Sequence, residues 1–400
     1  MNQNQKSSAE RSNRSFKTAF KKCAVKLLGN SKYQFVSIPI FAILLSLIAG
    51  AIVISLVGAN PLSAYYNLLQ GTGIMPKASY AGGKGMLTDF ASMLNALTPM
   101  LFASLAVAVA FKAGLFNIGV AGQMLGAGFF ATILVGYSEL NGVIAKPLVL
   151  LIGIVVGGLI GAFIGFLKYR FNINEVVASI MINYILQYVI SFFINTYFVD
   201  PVSRQSRYIS DAARLTLMNV KFMGLKLEIP LGIIIAIAAA IFIRFLLNKT
   251  YIGYEIKLVG ENSKAAKYAG VDVKKNIVLA MLISGALAGL AGVTYYMGYF
   301  ASIQPKVLAS LGYDAIAVSL LGNSNPIGVI FSSLLITVIS KGSTYMSSIS
   351  GVEQEIASVI TSMILLFSAC GAFIKYLVKH AEIQLDEMGD VSAAASKEDK

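Results

Sequence analysis

The feature that most constrains this chain is a succession of long apolar runs with almost no charge inside them. The first, 38–57, holds about 20 residues, enough for a helix to cross a hydrocarbon layer roughly 30 Å thick. Others follow at 91–111, 115–136, 147–167, 176–199, 229–247, 276–300, 306–322, 326–340 and 355–376. Within lipid every backbone N–H and C=O must be paired inside its own segment, so runs of this length are helices. The expectation is an all-α, polytopic membrane protein of about ten transmembrane helices. With 56% hydrophobic residues, 13% charged residues and a mean hydropathy of +0.73, a soluble domain with one ordinary core is excluded.

Charge sets the orientation. Residues 1–37 carry eight Lys or Arg against Glu10 alone, which predicts a disordered basic tail in the cytoplasm. The transmembrane domain then covers 38–378, and the acidic, Ala/Ser-rich segment 379–400 forms a second disordered tail, with both termini cytoplasmic. The basic region before it is long for a signal peptide, the first run is long enough to span, and no clear small-residue cleavage site precedes Asn60-Pro61. Segment 59–89 reads as an external loop with a short helix over 62–69. Segment 200–228 holds Arg204, Arg207, Arg214, Lys221 and Lys226, yet parity places it outside, against the usual charge rule. The net charge of +13 sits mainly in the tail and the loops, so nucleic acid is not an expected partner. Cys23 and Cys370 form no framework, and no metal-ligand cluster is spelled out.

Chemistry is scarce at membrane depth. Glu175 and Asp314 are the only candidates for a proton relay, and neither has an intramembrane Lys, Arg or His partner legible in the sequence. His380 reads as a solvated residue near the end of the chain. There is no GxxxxGK[ST], so no nucleotide is bound by a P-loop on this chain and no cofactor is expected. The amides Asn95, Asn117, Gln123, Asn183, Asn323 and Asn325 fall within or beside apolar runs, where an unpaired amide costs about 2–7 kcal/mol. Each must either bond a neighbouring helix or face water. Should they line a path, amides with nearby rings, such as Phe116, Tyr184 and Phe300, suit a neutral, hydroxyl-rich solute with a flat ring, such as a nucleoside or sugar. On that reading the path residues are Phe116, Asn117, Gln123, Asn183, Tyr184, Asp314 and Asn323. A weak echo links 114–134 and 312–336, each a Gly-interrupted apolar run.

Segment 248–275 separates two of the runs and is rich in lysine. Asn262 or Ser263 is placed to cap a helix and Gly270 to end it, giving a short helix over 263–269, roughly 10 Å long. Ala265, Ala266 and Ala269 would form a smooth docking face beside Lys264 and Lys267, although a solvated connector would read the same way.

The residues resolve that choice by resemblance. GYEIKLVGENSKAAKYAGV at 253–271 and SGALAGLAG at 284–292 resemble the permease subunits of ABC importers of the branched-chain amino acid, ribose and nucleoside type. So do LTPMLFASLAVAVAFKAGLFNIGVAGQM at 97–124, NEVVASIMINYI at 174–185 and GYDAIAVSLLGNSNPIGV at 312–329. The pattern looks most like the nucleoside and simple-sugar branch, with one departure at Ala121, where those relatives commonly carry Glu. The resemblance implies that Gly260, Asn262, Ala265, Ala266, Tyr268, Ala269 and Gly270 form the loop that rests on a separate ABC ATPase, which binds the ATP. It further implies a second permease, similar or identical, an extracytoplasmic solute-binding lipoprotein, a nucleoside as solute, and a multi-pass place in the cell membrane. The rival is an autonomous secondary transporter or facilitator, which the absence of paired membrane carboxylates disfavours.

Overall fold

A computed structural model describes residues 34–80, 84–222, 225–370, 374 and 376–383. The expected tails at 1–33 and 384–400, with Cys23, lie outside these residues. Helix already begins at Gln34 and residues 376–383 are helical, so the tail boundaries drawn at 37 and 379 fall inside helix.

In chain order the elements are α1 (Gln34–Leu56), α2 (Pro61–Gly71), α3 (Met86–Lys112), α4 (Val120–Ala131), α5 (Gly142–Phe171) and α6 (Glu175–Phe193). A hairpin of β1 (Thr216–Phe222) and β2 (Leu225–Pro230) precedes α7 (Gly232–Lys249), α8 (Tyr251–Glu261) and α9 (Ser263–Tyr268). Then come α10 (Val273–Thr294), α11 (Leu311–Leu321), α12 (Pro326–Ser350) and α13 (Glu355–Ala369). Helices α4, α6 and α10 run on as π-helical turns, Thr132–Gly136, Ile194–Phe198 and Tyr295–Phe300.

Each of the apolar runs carries helix among the described residues, that of 306–322 only from Leu311, and seven of these helices are long and apolar enough to cross a membrane. The helices of the two echoing runs, Val120–Gly136 and Leu311–Leu321, are shorter. They meet: a Cβ on Gly312 would lie 2.8 Å from Ala121 Cα. Helix α12 runs ten residues past 340, so Lys341 sits inside it rather than at its end. Hydropathy missed this because six of the ten residues of the extension, 341–350, are Ser, Thr or Gly and one is Lys.

The chain divides into two compact units, Ile54–Ser358 and the combination of Met1–Val53 with Val359–Lys400. In the second, Leu44, Ile48 and Ile52 of α1 and Leu366 of α13 present exposed apolar side chains, as lipid-facing helices do. In the first, α3 is the buried centre, with every residue from Leu97 to Ala110 buried. Glycine builds the tightest seam. Gly153, Gly157 and Gly161 of α5 face Gly285 and Gly289 of α10 so closely that a Cβ on Gly289 would lie 1.9 Å from the Gly153 carbonyl oxygen. Small residues let backbones meet where no hydrophobic force separates helix from lipid.

Two features were not read from the sequence. The β1–β2 hairpin occupies the end of segment 200–228 and runs to Pro230, with its register shifting between Leu217 and Val220. The segment 248–275 also holds a second helix, α8, capped by the Thr250 hydroxyl, which accepts from Gly253 N–H at 3.2 Å. The predicted short helix is present as α9: the Asn262 Oδ1 accepts from Lys264 and Ala265 N–H at 3.0 and 3.1 Å, and Gly270 follows at φ +82°.

Candidate functional site

Four helices of the larger unit enclose a cavity of about 240 Å³. Helix α3 contributes Ala96, Pro99 and Met100. Pro99 has no N–H to give the carbonyl four residues earlier, so the otherwise continuous α3 lacks one ladder bond where it borders polar space. From the π turn after α10 come Tyr295, Tyr299 and Phe300, a cluster in which Phe300 lies 4.9 Å from Tyr295 and 4.7 Å from Tyr299, centroid to centroid. The wider turn turns adjacent residues toward one space, a common device at functional sites. Helix α11 adds Asp314 in its first turn, where the helix dipole favours a carboxylate. Helix α12 adds Thr337, Ser340, Lys341 and Thr344, a polar stripe at helical spacing.

The charges are the notable part. Lys341 Nζ donates to the Tyr299 hydroxyl at 3.2 Å and lies 5.2 Å from that ring's centroid. Asp314 has no hydrogen-bond or ion-pair partner among the described residues, and the two charges form no ion pair with each other although they line one cavity. The sequence reading found no intramembrane basic partner for Asp314, and none is bonded to it among the described residues, but it missed Lys341 in the lining of the same cavity. Glu175, by contrast, is paired, with Lys168 Nζ 2.5 Å away. Lys341, Thr337, Tyr295 and Tyr299 were missed as site residues. Their signals were a lone Lys amid Thr and Ser at spacings of three and four, and two Tyr four apart.

A second cavity, about 270 Å³, shares Tyr295 and Phe300 as a wall and adds Gln205, Tyr208, Ser302 and Gln304. Ser302 Oγ donates to Gln205 Oε1 at 2.7 Å. The turn before Gln205 is closed by Asp200, whose carboxyl is held below its ordinary range by the Ser203 hydroxyl and the Ser203 and Val202 N–H groups. Among the described residues no charged side chain lines this second space.

Most of the predicted path residues lie elsewhere. Asn117 Nδ2 donates to Gln123 Oε1 at 3.1 Å and to Ser284 Oγ at 2.9 Å, while its Oδ1 accepts from Gly119 N–H at 3.0 Å. Ser284 Oγ in turn donates to the Ala106 carbonyl at 2.6 Å. Asn183 accepts from Gly122 N–H and donates to the Ile118 carbonyl. All three amides are buried and line neither cavity, so the geometry supports interhelical bonding for them. Phe116 packs on Phe111, Tyr184 is half exposed on the outer face of α6, and Asn323 is exposed in the turn after α11 at φ +53°. Of the predicted path residues, Asp314 alone lines either of these two cavities. Ala121 is fully buried against Gly312, so no longer side chain fits there.

At the other end of α10, the face of α9 differs from expectation. Ala266 is fully buried with Val259 and Val271, so it packs within the chain and is not part of a docking face. The surface is formed by Lys264, Ala265, Lys267, Tyr268 and Ala269, with Tyr268 95% exposed. Gly260, on α8, presses on Gly114 and the Lys112 carbonyl, where a Cβ on Gly260 would come within 2.3 Å of that oxygen. Asn276 Nδ2 donates to Glu255 Oε2 at 3.1 Å, joining α8 to α10.

Comparison with known proteins agrees with this arrangement. Residues 90–369 match the family described as "Branched-chain amino acid transport system / permease component". The chain is 32% identical to the nucleoside ABC transporter permease protein NupB of Lactococcus lactis subsp. cremoris, over 88% of this chain and 96% of that one. It is 36% identical to the guanosine ABC transporter permease protein NupP of Bacillus subtilis, over 85% and 95%. It is 26% identical to the glucose ABC transporter permease protein TsgB13 of Haloferax volcanii, over 84% and 88%. With the family matched across most of its length, the chain belongs to the branched-chain amino acid transport system permease components.

Proposed function

We propose that this chain is the permease subunit of an ABC importer of nucleosides and that the cavity between α3, the Tyr295–Phe300 turn, α11 and α12 is where the solute is held. The observation that carries the proposal is the lining of that cavity: three aromatic rings beside hydroxyls, a carboxylate and an ammonium. Rings give a flat base a face to stack on, and the polar groups give a nucleoside's edges and hydroxyls partners. The relatives named for nucleosides and guanosine support the same solute class. A separate ATPase would rest on α9, an external binding protein would deliver the solute, and a second permease would complete the path. On this reading the chain catalyses no reaction of its own and α9 lies in the cytoplasm.

The test is uptake of tritiated nucleosides into proteoliposomes holding the permease complex, with ATP inside and the binding protein outside. ATP-dependent uptake is expected, and the permease chain without its ATPase should give none. Nucleoside accumulation by this chain alone would favour a secondary transporter instead.

A further inference from the structure

We propose that the cavity reads the edge of the base and prefers guanine, with Asp314 and Lys341 as the discriminating pair; this rests on the nucleoside reading above. Two opposite charges among apolar helices would ordinarily neutralise each other, because a lone charge at membrane depth is costly. Here they line one cavity without pairing, and Lys341 is held toward Tyr299 instead. Between them they present an acceptor pair and a donor. Thr337, 4% exposed, adds a buried hydroxyl with no partner among the described residues in the same lining.

The solute such a lining fits carries a donor edge beside an acceptor. A carboxylate accepts two parallel N–H bonds at once only from two adjacent donors. Guanine offers N1–H and N2–H side by side, with O6 and N7 as acceptors next to them. Adenine and cytosine each set one amino donor beside a ring acceptor, and uracil sets one N–H between two carbonyls. Each of these turns an oxygen or nitrogen lone pair toward the second carboxylate oxygen. Lys341, a donor with no acceptor, suits O6 or N7, and the Tyr295, Tyr299 and Phe300 rings supply stacking faces.

The measurement is equilibrium binding of guanosine, inosine, adenosine, cytidine and uridine to the permease–ATPase complex in lipid nanodiscs, without the external binding protein. Guanosine should bind about tenfold or more tightly than inosine, which lacks only the 2-amino group, the loss expected for one bond to a charged group. Asp314→Asn should erase that gap while changing uridine binding less than about twofold. Equal binding of guanosine and inosine by the unaltered complex overturns the inference whatever the variant does. A uniform loss for all five nucleosides in Asp314→Asn also overturns it, since the carboxylate would then serve the ribose or the fold. If the unaltered complex neither binds nor transports any of the five, it is the nucleoside reading itself that fails.

Discussion

Asn117 is the most heavily bonded side chain of the buried network, holding Gln123, Ser284 and the Gly119 N–H together from the short segment between α3 and α4. Its amide was recognisable in the sequence as a group that must be either paired or wet. Which of the two applies depends on Ser284, 167 positions away, and no local pattern reports such a meeting. Asp314 posed the opposite problem. It was legible as a rare carboxylate, but its counterpart Lys341 was hidden by the polar second half of α12. A substitution separates the two roles. Asn117→Ala strands the buried Gly119 N–H and the Gln123 amide, each worth about 1–3 kcal/mol when left unsatisfied. We expect a clearly lower melting temperature and a reduced yield of the detergent-solubilised protein, whereas Asp314→Asn should melt close to the parent. Unchanged thermal stability in Asn117→Ala would return this amide to the solute path.

Helix α9 illustrates what is and is not readable at the scale of an element. Its cap at Asn262 and its stop at Gly270 are spelled out locally and are present as expected. Its facing is not, because the alanines look alike until α8, absent from the sequence reading, folds beside them and takes Ala266 into contact with Val259. The choice of test residue changes accordingly. Ala266→Glu would bury an unpaired carboxylate at a cost of several kcal/mol and damage the chain itself, so loss of ATPase binding in that variant would be uninformative. Tyr268 projects freely at 95% exposure, an aromatic with nothing of its own chain to cover it. Tyr268→Ala is expected to leave the melting temperature of the permease unchanged and to reduce co-purification of the ATPase by tenfold or so, the loss typical of a buried aromatic anchor at an interface. Full co-purification with Tyr268→Ala would mean that α9 is a solvated connector.

Over the whole molecule the fold was the most legible part, since apolar runs of spanning length can only be helices in a bilayer and, among the described residues, each run carries helix, seven of them long enough to span. The hairpin escaped because its strands are short and half polar, and the cavities because they depend on which helix faces meet. What the assembled chain adds is a physical connection between its two ends of interest. Helix α10 starts at Val273, just after α9, and continues through Phe300, the shared wall of both cavities, about 40 Å at 1.5 Å per residue. Near its middle Ser284 ties it to Asn117 and to the Ala106 carbonyl of α3, while Gly260 of α8 presses on Gly114 just before Asn117. A displacement of α9 by the ATPase would therefore reach the aromatic wall along α10 and be felt by α3 through Ser284. Ser284→Ala removes those bonds at a cost of only about 1 kcal/mol each, so the protein should fold and bind the ATPase normally. The expected result is a marked loss of solute-stimulated ATP hydrolysis in the reconstituted complex, with basal hydrolysis and co-purification retained. Stimulation equal to that of the parent would show that α10 moves as a unit without this tie, leaving the glycine seam with α5 as the remaining contact through which the two ends are linked.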